Sequence, residues 1–283
     1  MEKRSIIANL EERLEPIPKN KRIFLKRSRA LEKYIRDYKE NDNYRYNEWQ
    51  RIKANTIILY SALIEALSSN ENKECIEDIA HYFNSKKREK QIIDNKPFLR
   101  RGSCWLDEMA EIVKGILGIE IDRPPVFENK HLIFRHPAKY NANRKEITLY
   151  NVNPYLFPEV VSHEYIHHIQ YALRYSMQWK TNNVLLEGMA HPLGNAAARE
   201  YASESGNLIA VKTGSSSLSN GLMQTIRLIK EGERHRQTCM EREVEYYPGI
   251  AAFLITEAKH GKKIYREIIS SPQPAEYLLK KLK

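Results

Sequence analysis

Cysteine is scarce in this chain. Cys75, Cys104 and Cys239 are its only three in 283 residues, odd in number and without a Cys-x-x-Cys spacing, which argues against a disulfide framework and against a cysteine-based metal site. Long apolar runs are missing as well. No stretch approaches the roughly 20 residues needed to cross a bilayer, and the first residues, MEKRSIIANLEERLE, are charged throughout rather than built like a secretion signal. These absences lead us to expect an intracellular, cytoplasmic protein without membrane contact. Acidic residues are outnumbered, 36 to 46, leaving a net charge of +10. What remains is 42% apolar and 29% charged, the composition of a globular chain with a substantial core and a basic surface.

The excess charge is uneven. Residues 1–101 hold 23 Lys and Arg against 16 Asp and Glu, so most of the surplus lies in the first third. Between Lys19 and Lys53 the bases alternate with Phe24, Tyr34, Tyr38, Tyr44, Tyr46 and Trp49, which would suit phosphate contacts and base stacking, so residues 19–53 are a candidate nucleic-acid surface. Helical spacing explains the same aromatics as the core of a basic helical bundle, the plainer reading. Residues 1–95 are accordingly expected to form a helical accessory region or pro-segment. It includes a buried helix over 54–68 and another from Cys75 to Phe83. The polar run 85–104, broken by Pro97 and Gly102, supplies a linker at 96–104.

A helix is expected from Trp105 to Gly118, then strands at HLIFRH (131–136) and KEITLY (145–150), with PAKYNANR between them as a turn or loop. A strand just ahead of the next helix could pair with an extended peptide by main-chain hydrogen bonds. That next helix carries the most informative stretch, PEVVSHEYIHHIQYALRY (158–175), with His163, Glu164 and His167 in the order His-Glu-x-x-His. Chance would produce this order in about 2% of chains of this length and composition. Residues four apart share a helix face, so both imidazoles can reach one metal ion, and Glu164 lies beside them where a carboxylate can take a proton from water. Pro158 suits a first helical turn, Glu159 complements the positive end of the helix, and Val160, Val161, Ile166, Ile169 and Leu173 recur at helical spacing on the opposite side.

A catalytic zinc needs three protein ligands and an open position. Glu187, twenty residues after His167 and one turn into a helix capped by Asn182 or Asn183, is the expected third; His191, four residues later, is the competitor or an orienting group. Pro192 should kink or end that helix early. The metzincin continuation is missing, since Gln170 and Leu173 stand where its Gly and His would be. Residues 204–218 have the small polar composition of a mobile loop. A helix resumes at Leu222–Glu231, followed by a Tyr pair, a Pro-Gly break, an apolar helix stopped by Gly261, and a short further helix.

HEYIH (163–167), LLEGMA (185–190) and YYPGIAAFLITEAKHGKKIYREII (246–269) together resemble the gluzincin clan of zinc metallopeptidases, in particular its peptidase MA-like domains, over roughly residues 105–270. The resemblance implies Zn2+ held by His163, His167 and Glu187, one ion per chain, with Glu164 as general base and Tyr246, or its neighbour Tyr247, steadying the oxyanion. It implies a zincin-like catalytic domain of α+β class, mostly α-helical, with a small sheet above the His-Glu-x-x-His helix. Residues 105–203 would then form the zinc-binding subdomain and 204–283 a C-terminal helical subdomain. The expected activity is that of an endopeptidase acting on a peptide or protein. A nucleic-acid-associated protein with a regulatory or degenerate metal site is the alternative.

Overall fold

A computed structural model of the chain describes residues 59–88, 102–129, 137–150, 156–173, 183–205, 208–231 and 246–283. The aromatic-basic stretch 19–53, the expected strand 131–136 and residues 96–101 of the expected linker 96–104 lie outside the described residues, while residues 102–104 form the first turn of a helix rather than linker. After a helical stretch at 59–67 come α1 (Asn70–Arg88), α2 (Gly102–Leu117), β1 (Val126–Asn129), β2 (Ala138–Asn141), β3 (Glu146–Tyr150), α3 (Phe157–Ala172), α4 (Asn183–Ser205), α5 (Leu208–Glu231), α6 (Tyr247–His260), α7 (Lys263–Ile269) and α8 (Pro274–Leu282). Among the described residues the fold is α+β and mostly helical, with one small three-stranded sheet. No described helix is long and apolar enough to cross a membrane.

The sheet has the order β1-β3-β2, β1 parallel and β2 antiparallel to β3. PAKYNANR, expected as a turn or loop, holds the turn but also strand β2 before it. Ala138 and Tyr140 face inward and Lys139 outward, the alternation of a half-buried strand, and the Asn141 side chain accepts from the N–H groups of Asn143 and Arg144 to close a tight turn back into β3. The edge strand over the motif helix is therefore β2, and the strand just before that helix, β3, is central.

Two other expectations fail for a shared reason. Residues 204–205 and 208–218 are helical, not a loop; and α4 runs through Pro192 to Ser205 rather than ending there. Pro192 cannot donate to the Gly188 carbonyl, and an internal proline costs about 3 kcal/mol. Burial of Val184, Leu185, Leu186, Met189, Leu193 and Tyr201 on that helix outweighs it at roughly 1.5–3 kcal/mol for each fully buried large side chain. In α5 the buried Ser215 and Ser219 are small enough to let the helix lie close to α1, where the Ser219 hydroxyl donates to Asn84 Oδ1 at 2.9 Å. The Pro-Gly pair is likewise no break, because Pro248 sits in the first turn of α6. Gly261 does stop that helix, with φ of 75°.

Residues 59–83 share one hydrophobic core with α2 through α8. A buried polar hub ties α1 to the end of the chain. Asn72 donates to the carbonyls of Ala66 and Leu282 at 2.9 and 3.1 Å, and accepts from Lys259 at 3.0 Å.

α4 lies against both α3 and α6, and glycine sets both distances. A Cβ on Gly188 would stand 2.8 Å from the Gly249 backbone, and one on Gly194 would stand 3.3 Å from the backbone nitrogen of His163. Backbone therefore packs on backbone at the two crossings that bracket the site. Gly115, in contrast, has open space where a Cβ would go.

Candidate metal centre

α3 begins as its sequence dictates, with Phe157 and Pro158 in the first turn and Glu159 at the positive end. Val161, Ile166 and Ile169 are buried in the core. The face carrying His163 and His167 is left to meet α4, whose Glu187 projects toward it.

Three side chains converge there. His163 Nε2 and His167 Nε2 are 3.1 Å apart, His163 Nε2 is 3.2 Å from Glu187 Oε2, and His167 Nε2 is 3.4 Å from Glu187 Oε1. Donors around a tetrahedral zinc, at 2.0–2.1 Å bond lengths, stand about 3.3–3.4 Å from one another. The spacing and the donor set, two imidazoles and a carboxylate, thus fit Zn2+. His191 stands farther off. Its Nε2 is 3.8 Å from Glu187 Oε2, its ring centroid is 4.4 Å from that of His163, and its nearest donor atoms with His163 and Glu187 lie within 4.8 Å of one another. His163 and Glu187 therefore belong to two overlapping donor sets. We take His167 rather than His191 as the third member because its Nε2 stands 0.4 Å nearer the Glu187 carboxylate, 3.4 against 3.8 Å, and lies 3.1 Å from His163 Nε2.

Electrostatics agree with a cation site held by a proton. Burial by itself would lower the His167 pKa, but the hydrogen bond and charge of Glu187, with Glu164 and Gln170 adding, raise it to about 9. The opposing effects act on Glu187, where burial favours the neutral acid and the hydrogen bonds and charges of His163 and His167 win, holding the carboxyl well below its ordinary range. His191 goes the other way. Burial and the neighbouring His163 lower it to about 3, so it is a neutral imidazole.

Glu164 is buried, and its Oε2 accepts the Tyr140 N–H at 2.6 Å. That N–H is on the side of β2 away from β3, so a strand expected as turn or loop holds the carboxylate. His168, the extra histidine of the motif helix, braces the same strand. Its Nε2 lies 2.8 Å from the Asp122 carbonyl, which can only accept; Nε2 therefore carries the proton, and Nδ1 accepts from the Tyr140 hydroxyl at 3.0 Å. Tyr165 adds a bond to the Ile121 carbonyl at 3.1 Å. Arg123 then pins that segment to Asp107 and Glu111 of α2.

Tyr246 caps α6 and stacks on the His191 ring at 5.4 Å and 17°, while Tyr247 turns toward Gly221 of α5. Tyr246 is therefore beside the cluster and Tyr247 is directed away from it. Sequence reading missed Gln170, the Tyr140 N–H and His168. The one local signal was Gln170 itself, a buried-face polar residue one turn beyond the motif.

Glu159 lies one turn before His163, half-buried, and burial raises its carboxyl to about 7. A carboxylate whose folded pKa lies above its unfolded value stabilises the fold most below the unfolded value, and that contribution is lost as pH rises through about 7. In metal-free protein, Glu159→Gln should therefore be the more stable by about 2 kcal/mol at pH 8.5 in urea unfolding, with the two curves converging as pH falls toward 4.5. A constant difference across this range would refute the assignment.

Comparison with known proteins finds no matching family model, no matching curated protein and no matching solved structure.

Proposed function

We propose that the chain is a zinc-dependent peptidase of gluzincin type, with a zincin-like catalytic domain that hydrolyses internal peptide bonds. The observation that carries this reading is the convergence of His163, His167 and Glu187 at 3.1–3.4 Å beside a carboxylate, Glu164, held by the edge of a sheet. His163 and His167 would hold the ion through Nε2 and Glu187 through its carboxylate. Bound there, zinc would supply Lewis acidity toward a water molecule and the scissile carbonyl.

Everything else falls to the chain. With one oxygen occupied by the Tyr140 N–H, Glu164 has the other to accept a proton from the attacking water, and it then delivers that proton to the leaving amine. Tyr246 supplies a phenol to the charge that develops on the carbonyl oxygen. The outer edge of β2 offers main-chain groups to an extended peptide, which would lie along the strand.

The test is a zinc titration of the full chain by calorimetry, with peptide cleavage followed before and after chelation. One ion per chain, cleavage lost on chelation and restored by zinc, and titration heat abolished in His163→Ala are expected. Absence of zinc binding, or cleavage indifferent to chelator, would overturn the reading.

A further inference from the structure

Gln170 is almost wholly buried, and both ends of its amide are used. Its Nε2 donates to the Leu186 carbonyl at 3.1 Å, and its Oε1 lies 2.9 Å from His167 Nδ1. The chemistry runs in one direction. A carbonyl has no proton to give, so Leu186 requires the NH2 end of the amide. The oxygen end must then face His167, whose Nδ1 must carry a proton to bond with it. A neutral imidazole protonated at Nδ1 has its lone pair on Nε2, the atom that faces His163 and Glu187.

We propose that Gln170 is a positioning residue for the metal centre, which takes its orientation from the Leu186 carbonyl and fixes His167 in the tautomer whose Nε2 is free to bind a cation. Resting on the zinc-peptidase reading, the assignment deepens it by making one amide the link between the two ligand-bearing helices. Leu186 immediately precedes Glu187, so the same side chain that selects the tautomer on α3 also sets the distance to the third ligand on α4. A glutamine that merely filled space between the helices would have no reason to face one particular ring nitrogen.

The experiment compares zinc affinity, by competition with a chromophoric chelator, in the parent chain, Gln170→Leu and Gln170→Glu, with circular dichroism to verify folding. Loss of a hydrogen bond to a metal-bound histidine typically weakens binding 10- to 100-fold, the fall expected for Gln170→Leu. Gln170→Glu still accepts from Nδ1–H but cannot donate to the Leu186 carbonyl, and should recover only part of the affinity, falling between the parent and Gln170→Leu. Gln170→Leu within threefold of the parent would overturn the proposal. Should that variant not fold, nitrogen-15 spectra of the metal-free parent, recorded above the pH at which its His167 is measured to lose its charge, decide the matter. A proton on Nδ1 is expected, and a proton on Nε2 would overturn it. If the parent binds no zinc at all, the peptidase reading falls, while the same spectra still judge the role of Gln170.

Discussion

Glu164→Gln should leave a folded, zinc-loaded protein whose peptide cleavage is reduced by a factor of about 100 to 10,000, the usual contribution of a general base. The two side chains have the same shape, and the amide oxygen of the variant can still accept the Tyr140 N–H that Oε2 accepts at 2.6 Å. Neither the strand nor the ligands should move, because His163, His167 and Glu187 do not touch the altered group among the contacts that define the cluster. What disappears is basicity. An amide cannot take a proton from water at neutral pH, and it has none to return to the departing amine. The loss corresponds to roughly 3–5 kcal/mol in the barrier and should fall mainly on kcat, because substrate contacts along β2 are untouched. Zinc affinity measured alongside separates the explanations. Retained zinc with lost cleavage assigns the base, whereas undiminished cleavage would remove Glu164 from the mechanism.

The parts of this site that could be read from sequence are those whose meaning is local. His163, Glu164 and His167 lie within five residues, and a helix face converts that spacing directly into convergence. Glu187 needed one further step, a helix start at Asn183. The rest depends on partners that no local pattern reveals. Gln170 acquires its role from a carbonyl 16 residues away, and His168 from Asp122, 46 residues before it. Nothing in the type of either residue announces that. β2 was misread because Pro137 and two asparagines resemble turn chemistry. They do make the turn, but around a strand whose four residues alternate correctly. Residues 204–218 show a related ambiguity. Serine suits an exposed loop, and it equally suits a buried helix face, where Ser215 and Ser219 stand; the bond from Ser219 to Asn84 of α1 is not announced by the local sequence.

The largest effect on stability should come from Gly249→Ala, a single methyl group, which we expect to cost 3 kcal/mol or more, beyond the usual 1–3 kcal/mol of core overpacking. An added Cβ would stand 2.1 Å from the Val184 carbonyl oxygen and 3.1 Å from Gly188 Cα. Both are backbone atoms, so no rotamer change relieves the clash, and α6 must move away from α4. A domain with about 5–15 kcal/mol of total stability loses a sizeable share of it. The displacement also reaches the metal centre, since Gly188 is the residue after Glu187. A folded Gly249→Ala protein should therefore bind zinc more weakly than its parent, although residue 249 touches none of the ligands among the contacts that define the cluster. Gly115→Ala is the matched control. It lies exposed in α2 with open space at Cβ, and alanine there should stabilise by about 0.5–1 kcal/mol through helix propensity alone. Opposite signs for the two substitutions in urea unfolding would show that contact between the backbones of α4 and α6, rather than the loss of glycine as such, governs the effect. If Gly249→Ala left stability and zinc affinity unchanged, the close crossing of α4 and α6 could not be what holds Glu187 opposite the two histidines.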